Sequence, residues 1–437
     1  MLQTLYVVPH WFVAGPLFWL WAGLSIVALI WNLKQRKFGE VLGSVLPMAI
    51  GGLLVIRFVI PQVEVLGLNP ADPDGALVPI GLAIRGYGLF LMMGILAGIS
   101  ACLVRASEVG IRPEKIIALC FWLVVVGLVG ARMFYVVQKW DTYRGESGMQ
   151  LLLKLLDMTE GGLVVYGSLF GALLAWAVFC WWHKLSMLQV ADIIAPGMLV
   201  GLCLGRIGCL MNGCCYGEVC SVDALGMRFP AGSAPYYRHL ETGELLGMQL
   251  ERTTAETARG PAAPRRVRTV APGSLAERYG IEVGDEIAGF GIPADLYMRG
   301  IKQAGLKIEA PAHANLAIEV VDKPLVVIPI RELPDRSLPI HATQIYSAID
   351  ALLLAGLLWL YFPFRRAHGE LLAGMLILYS ISRFLMEEIR GDELGVWGTR
   401  FSISQWVAMF VLPLGVVVFF ALKWAAQRGI RGVRVER

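Results

Sequence analysis

Gly205-Arg206-Ile207-Gly208-Cys209-Leu210-Met211-Asn212-Gly213-Cys214-Cys215-Tyr216-Gly217 sets one arginine inside a long apolar run, among four glycines and three cysteines. A guanidinium is expensive in hydrocarbon, so an intramembrane arginine marks a functional site by default, and its natural partner is an anion. The glycines let backbone or ligand come close. Their spacing also suits tight helix packing. The competing reading of the stretch is a structural ion pair between helices.

The rest of the chain supplies the membrane. Its 437 residues are 57% hydrophobic and 16% charged, with a mean hydropathy of +0.63, too apolar for a soluble protein of this size. Nine stretches approach the roughly 20 apolar residues that cross a bilayer as helix: about 11–31, 41–60, 82–104, 115–138, 162–182, 189–211, 344–364, 370–389 and 402–424. The expected fold is an all-α polytopic membrane protein of about nine helices, a seven-helix core behind an N-terminal hairpin (residues 1–65), with a small β-rich external insert. The first span lacks a basic leader and a clean cleavage site, so it reads as a retained span.

Basic residues sort by connection. Lys34, Arg36 and Lys37, then Arg105, Arg112 and Lys115, then His183 and Lys184, then Arg365 and Arg366, then the tail from Lys423 to Arg437 fall on alternate connections. The positive-inside rule places these in the cytoplasm. The N-terminus is therefore expected outside, the C-terminus (426–437) inside, and the long connection near 218–337 outside. Because the net charge of +4 is spread by topology and not pooled, no nucleic-acid surface is expected.

That connection turns charged and rich in Pro and Gly, as a separate soluble module would. Val267–Val270, then Pro272-Gly273-Ser274-Leu275-Ala276, then Val283-Gly284-Asp285-Glu286-Ile287 read as strand, short helix, strand, and resemble the centre of a PDZ domain over about 265–330. Leu316–Val321 and Leu325–Ile330 would complete a small sheet. Such a module could capture a peptide by adding it as a strand, or be purely structural.

With orientation assigned, depth follows at about 1.5 Å per helical residue. Arg85, Arg132, Arg206, Asp350, Arg383 and Glu387 then fall in one layer near the external interface. Four arginines face two carboxylates, and an anionic ligand resolves the excess; arginine's planar fork suits phosphate. The anion present at that depth is the phosphate of an outer-leaflet lipid. Tyr87, Asn212, His341, Gln344, Tyr346 and Tyr379 add hydrogen-bonding groups, and Tyr379, Arg383 and Glu387 share one helix face. Tyr166 sits in a second glycine-rich turn, Glu160–Gly171. It reads as a hydrogen-bond donor, or as a base if nearby arginines lower its pKa from about 10. Asp192, at the other end of its span, reads as a cap or topology residue.

Taken together these segments resemble the prolipoprotein diacylglyceryl transferase family over about 78–217 and 338–425. Gly205, Arg206, Gly208, Asn212 and Gly217 match the family signature G-R-x-G-N-F-x-N-x-E-x-x-G. The segments at Tyr87, Gly130-Ala131-Arg132, Tyr166, His341 and Tyr379–Glu387 follow in the family's order. The resemblance implies transfer of diacylglyceryl from phosphatidylglycerol to the lipobox cysteine of lipoprotein precursors at a bacterial inner membrane, with no metal or soluble cofactor. It makes Arg206, Arg383 and Tyr166 the catalytic candidates. Tyr87, Arg132, Asn212, Gly217, His341, Tyr379 and Glu387 become the substrate-binding ones. Tyr166 would stand where many members carry a histidine base. The chain departs from the pattern at Cys209 for Asn, Cys214 for Glu, Ala342 for Pro and Ser347 for Glu. A lipid-binding scaffold without turnover is the alternative those losses leave open. The cysteines at 209, 214, 215 and 220 read as packed thiols or one disulfide, since vicinal Cys214-Cys215 fits poorly with the C-x₂-C spacing usual for zinc.

Overall fold

The computed structural model describes residues 4–9, 16–35, 65–69, 72–143, 148, 155, 162, 164–220, 226–251, 264–291, 315–390, 395–430 and 433–435. In chain order its principal helices are α1 (Pro16–Gln35), α2 (Gly86–Glu108), α3 (Pro113–Gln138), α4 (Val165–Trp182), α5 (Met187–Asn212), α6 (Ala234–Glu241), α7 (Thr343–Tyr361), α8 (Glu370–Glu387) and α9 (Ile403–Gln427). Six helices among the described residues are long and apolar enough to cross a bilayer: α2, α3, α4, α5, α7 with its extension to Phe364, and α9. This is a multi-pass membrane protein with a β-rich insert, and among the described residues six spans stand where nine were expected along the chain. α8 has 18 residues but carries Glu370, Arg383 and Glu387; α1 is apolar only over Pro16–Ile30; the expected span at 41–60 lies outside the described residues.

A second correction concerns the start of the third expected span. Residues 82–85 are not helical: β1 (Thr4–Pro9), β2 (Val65–Asn69) and β3 (Asp72–Arg85) form an antiparallel sheet in the order β1-β3-β2, and the helix begins only at Gly86. An apolar run by itself does not distinguish a buried strand from a helix.

One compact unit takes in 86–120 and 178–437, and a second takes in 4–85 and 121–177. In the first, α2 lies against α5 through glycine. A methyl at Gly98 would meet the Gly197 carbonyl oxygen at 2.8 Å, and one at Gly94 the Gly201 oxygen at 2.9 Å, so the two backbones touch as small-residue membrane interfaces do. α5 also packs on α7, and α8 on α9. In the second unit the same device joins the parts of α3 and α4 that belong to it, where Gly130 approaches Gly167 and Gly171 approaches Val126.

At one end of the first unit, fully buried Asp192 of α5 caps α8. Its carboxylate accepts hydrogen bonds from the backbone N–H groups of Gly369 (2.8 Å), Leu371 (2.9 Å) and Leu372 (3.2 Å) and pairs with Arg365 at 3.7 Å. The capping role read from the sequence is thus made across the fold rather than within its own helix. Arg105 is held at the same end, donating to Glu108 (2.6 Å) and to the Trp359 carbonyl (2.5 Å) with its guanidinium 3.8 Å from the Trp359 ring.

The insert begins and ends on paired backbone. β4 (Gly226–Met227) pairs with β10 (Ile340–His341), Cys220 N–H donates to Pro339 O, and Ser337 N–H to Phe229 O. Between them β5 (Met248–Leu250), β6 (Arg265–Val270), β7 (Glu286–Gly291), β8 (Asn315–Val320) and β9 (Val326–Pro329) form one antiparallel sheet in sequential order. The strand, single helical turn (Leu275–Arg278) and strand expected over 267–290 are present. Tyr236 and Leu240 of α6 join Met248, Val267, Ile287, Leu316 and Ile328 in its core.

His239 of α6 is buried beside that core, and its Nδ1 has no hydrogen-bond partner among the described residues. Burial, then the charge of Arg238, lowers its pKa from 6.5 to about 4. Glu244, 3.9 Å away, has an exposed side chain and does not reverse this. Between those two values the unfolded imidazole takes up a proton that the folded one refuses, so the insert loses stability as pH falls from about 6.5 towards 4. Hydrogen-exchange protection factors over 234–250 of the full chain, referred to the intrinsic rate at each pH, should fall across that window, and His239→Leu should flatten the dependence.

Candidate functional site at the α5–α7 turn

The opposite end of the same unit gathers the start of α2, the end of α5, the start of α7, the end of α8 and the start of α9. α5 closes on Gly213, whose φ of +75° and N–H bonds to Cys209 O and Leu210 O form its C-cap. The chain then folds back over the helix end. Cys214 N–H donates to Cys209 O at 3.2 Å. Cys215 has a φ of +58°, a strained state for a side chain with a Cβ. α7 holds it there: Thr343 Oγ1 donates to Cys215 O (2.7 Å) and Gln344 Nε2 to Cys214 O (2.8 Å).

Past the turn, Gly217 lies between two backbones. Its N–H donates to His341 O at 3.0 Å and it bridges to Arg390, while Glu218 N–H donates to Ile389 O at 3.0 Å. A Cβ at Gly217 would meet His341 Cβ at 2.6 Å and the carbonyl oxygens of His341 and Ile389 at 2.9 Å each. No flexible side-chain tip is there to move aside. Gly217→Ala is expected to lower stability by about 1–3 kcal/mol, read as an earlier thermal-inactivation midpoint in detergent.

Arg206 lies within the last two turns of α5, half-buried. It makes no ion pair or hydrogen bond among the described residues, and its charge acts on Cys215 and on Tyr87. Tyr87, 39% exposed, opens α2 against Gly208, where a Cβ would come within 3.2 Å of its carbonyl oxygen and 3.4 Å of its ring. Hydrogen bonds from Cys209 and then Cys214 hold the Cys215 thiol below its ordinary pKa, helped by the Arg206 and Arg390 charges.

Arg383 is occupied differently. It pairs with buried Glu387 and donates to Ser404 Oγ at 2.8 Å. Glu387 also accepts from Ser402 Oγ (3.0 Å) and lies 3.6 Å from Arg390. The stripe on α8 is therefore an ion-pair network as well as a candidate phosphate contact. Arg390 is a site residue absent from the sequence-based candidates. Its position is set beyond the end of α8, where it bridges to Gly217 and reaches back to Glu387. Tyr379 is half-buried on that face, and Asp350, from the expected layer, accepts a hydrogen bond from Ser382. The His341 ring is 6.4 Å from that of Tyr346. Asn212 ends α5.

Arg132 and Tyr166 belong to the second unit. Arg132 is buried, donating to Leu155 O (2.8 Å), Gly162 O (3.3 Å) and Tyr143 Oη (3.4 Å). Tyr166 is the second residue of α4 and half-buried.

A glycine-bounded turn beside an arginine without a carboxylate is the geometry, and comparison with known proteins says whose. The family model described as prolipoprotein diacylglyceryl transferase matches residues 76–421. The chain belongs to the prolipoprotein diacylglyceryl transferase family. Among similar proteins, the phosphatidylglycerol–prolipoprotein diacylglyceryl transferase of Rhodopirellula baltica is 31% identical over 97% of this chain and 89% of its own length. Transferase 2 of Clostridium perfringens is 23% identical over 78% of this chain and 91% of its own. That of Gloeobacter violaceus is 36% identical over 33% of this chain and 53% of its own. The transferase family match begins before β3 ends and spans the insert, so all the expected site residues lie inside it.

Proposed function

We propose that this chain is a phosphatidylglycerol–prolipoprotein diacylglyceryl transferase of a bacterial inner membrane. It transfers the diacylglyceryl group of phosphatidylglycerol to the lipobox cysteine of a lipoprotein precursor. The sulfur–carbon bond of a thioether forms, the carbon–oxygen bond to phosphate breaks, and glycerol phosphate leaves. The observation that carries the reading is Arg206, half-buried at the family's signature position and without a carboxylate partner among the described residues. It offers a fork of N–H donors to the phosphate and to the charge that grows on it as the bond breaks.

Around Arg206 the network sets roles. Glu387, gripped by Arg383 and Arg390, holds those guanidiniums in place while they keep the neighbourhood positive. Tyr87, Asn212, His341 and Tyr379 supply hydrogen bonds to the headgroup, and Gly217 admits the backbone that shapes the turn. Arg132 and Tyr166 are assigned by their family segments, Tyr166 as the base that takes the thiol proton. Alternate basic connections put the N-terminus outside and the C-terminus in the cytoplasm. The insert, 218–337, then faces the exterior, where its PDZ-like segment at 265–330 is suited to adding a peptide strand.

Full-chain protein in lipid vesicles, given phosphatidylglycerol labelled in its acyl chains and a lipobox peptide, should yield labelled thioether peptide. Absence of product, together with failure to rescue a transferase-depleted bacterium, would leave the non-catalytic lipid-binding scaffold.

A further inference from the structure

Three thiols that the family pattern does not supply sit together beside Arg206. Cys209 is in the last turn of α5, Gly213 reverses the chain, and Cys214 and Cys215 return over the helix end. All three Sγ atoms lie within 4.8 Å of one another. Cys214 Sγ also rests 3.7 Å from Cys209 O. From this arrangement we propose that Cys209, Cys214 and Cys215 form a three-sulfur site for a zinc ion, a site with one coordination position left for an outside ligand.

Distances support it. Zinc–sulfur bonds of about 2.3 Å in a tetrahedron put sulfurs about 3.8 Å apart. A spread of up to 4.8 Å closes to that by side-chain rotation, with at most about 1 Å of approach per pair. The backbone needs no rearrangement, because Thr343 and Gln344 already fix both carbonyls of the vicinal pair. Residues kept in a sparsely populated conformation by tertiary bonds are typical of functional sites, and Cys215 is one.

A disulfide suits the same atoms less well. Adjacent residues have Cα atoms about 3.8 Å apart, below the roughly 4.4–6.8 Å a disulfide prefers. That strains a Cys214–Cys215 bridge, and joining either to Cys209 strands the third sulfur. Charge favours zinc over copper(I). Three thiolates on a divalent ion carry one net negative charge, which one guanidinium offsets, and Arg206 lacks a carboxylate among the described residues. The same three thiolates on a monovalent ion carry two. Arginine has five N–H donors, so a contact with sulfur leaves donors for a phosphate oxygen. The inference stands on the cysteine geometry and is independent of the lipid reading.

The test uses the intact chain purified in detergent without chelator. Elemental analysis should find zinc in stoichiometric amount. Cobalt(II) exchanged into the protein should give the intense near-ultraviolet absorption of sulfur-to-metal charge transfer. Both should disappear in Cys209→Ser/Cys214→Ser and persist in Cys120→Ser. Should the double variant misfold, wild-type protein still decides. Maleimide labelling mapped by mass spectrometry should spare the peptide bearing Cys209, Cys214 and Cys215 until a zinc chelator is added. Three freely labelled thiols before chelation, a disulfide in that peptide, copper in place of zinc, or zinc retained by the double variant would each overturn the proposal.

Discussion

Replacing Arg206 by alanine is expected to lower kcat/KM for diacylglyceryl transfer by about 10²–10³-fold, the range for removing a donor aimed at developing charge. The direction follows from Arg206's surroundings. Arg383 and Arg390 are engaged in part by Glu387, whereas Arg206 has no ion pair among the described residues, so its N–H donors are the ones most available to a phosphate. Arg206→Lys should recover part of the loss, since it restores the charge without the planar two-pronged geometry. Initial rates of labelled thioether formation across a phosphatidylglycerol series separate the two variants. Unchanged activity in the alanine variant would remove Arg206 from the reaction.

The largest stability effect is expected at Asp192. Alanine there leaves three backbone N–H groups at the start of α8 without their acceptor and Arg365 without its carboxylate, in a place with no exposure to water. Breaking a buried pair from one side costs about 3–5 kcal/mol. Asp192→Ala should therefore unfold at markedly lower temperature, and Asp192→Asn, which keeps an acceptor oxygen, should fall between. A variant with native thermal stability would show that water replaces the carboxylate.

Some of this could be read in the sequence because the relevant physics is local. Apolar runs of bilayer length located α2, α3, α4, α5, α7 and α9; the strand and turn residues of 267–290 located the centre of the insert. Arg206 stood out because hydrocarbon leaves an arginine few reasons to be there. What hydropathy missed is decided by partners distant in sequence. Residues 82–85 became strand because β1 pairs with them, a preference no single apolar run displays. Spacing alone leaves Arg383 between a phosphate contact and an ion-pair stripe; Glu387 and Ser404 of α9 hold it. Arg390 lies past the end of α8, where its bridge to Gly217 turns it back on Glu387. The thiol cluster depends on a reversal at Gly213 and on two hydrogen bonds from α7, neither visible in the spacing of the cysteines.

The paired backbone at the mouth of the insert has an evolutionary consequence. Gly217, Val219, Cys220, Gly226 and Phe229 are zipped to residues within 337–341 before the insert's own core begins. To the membrane helices the connection from α5 to α7 is therefore a hairpin, whatever its tip carries. The entropy of closing a loop rises only logarithmically with length, so that tip can be lengthened, shortened or exchanged while the stem keeps the Cys214–Gly217 turn in register. A lineage can thus acquire a new module at this tip in one recombination event and keep its lipid chemistry untouched.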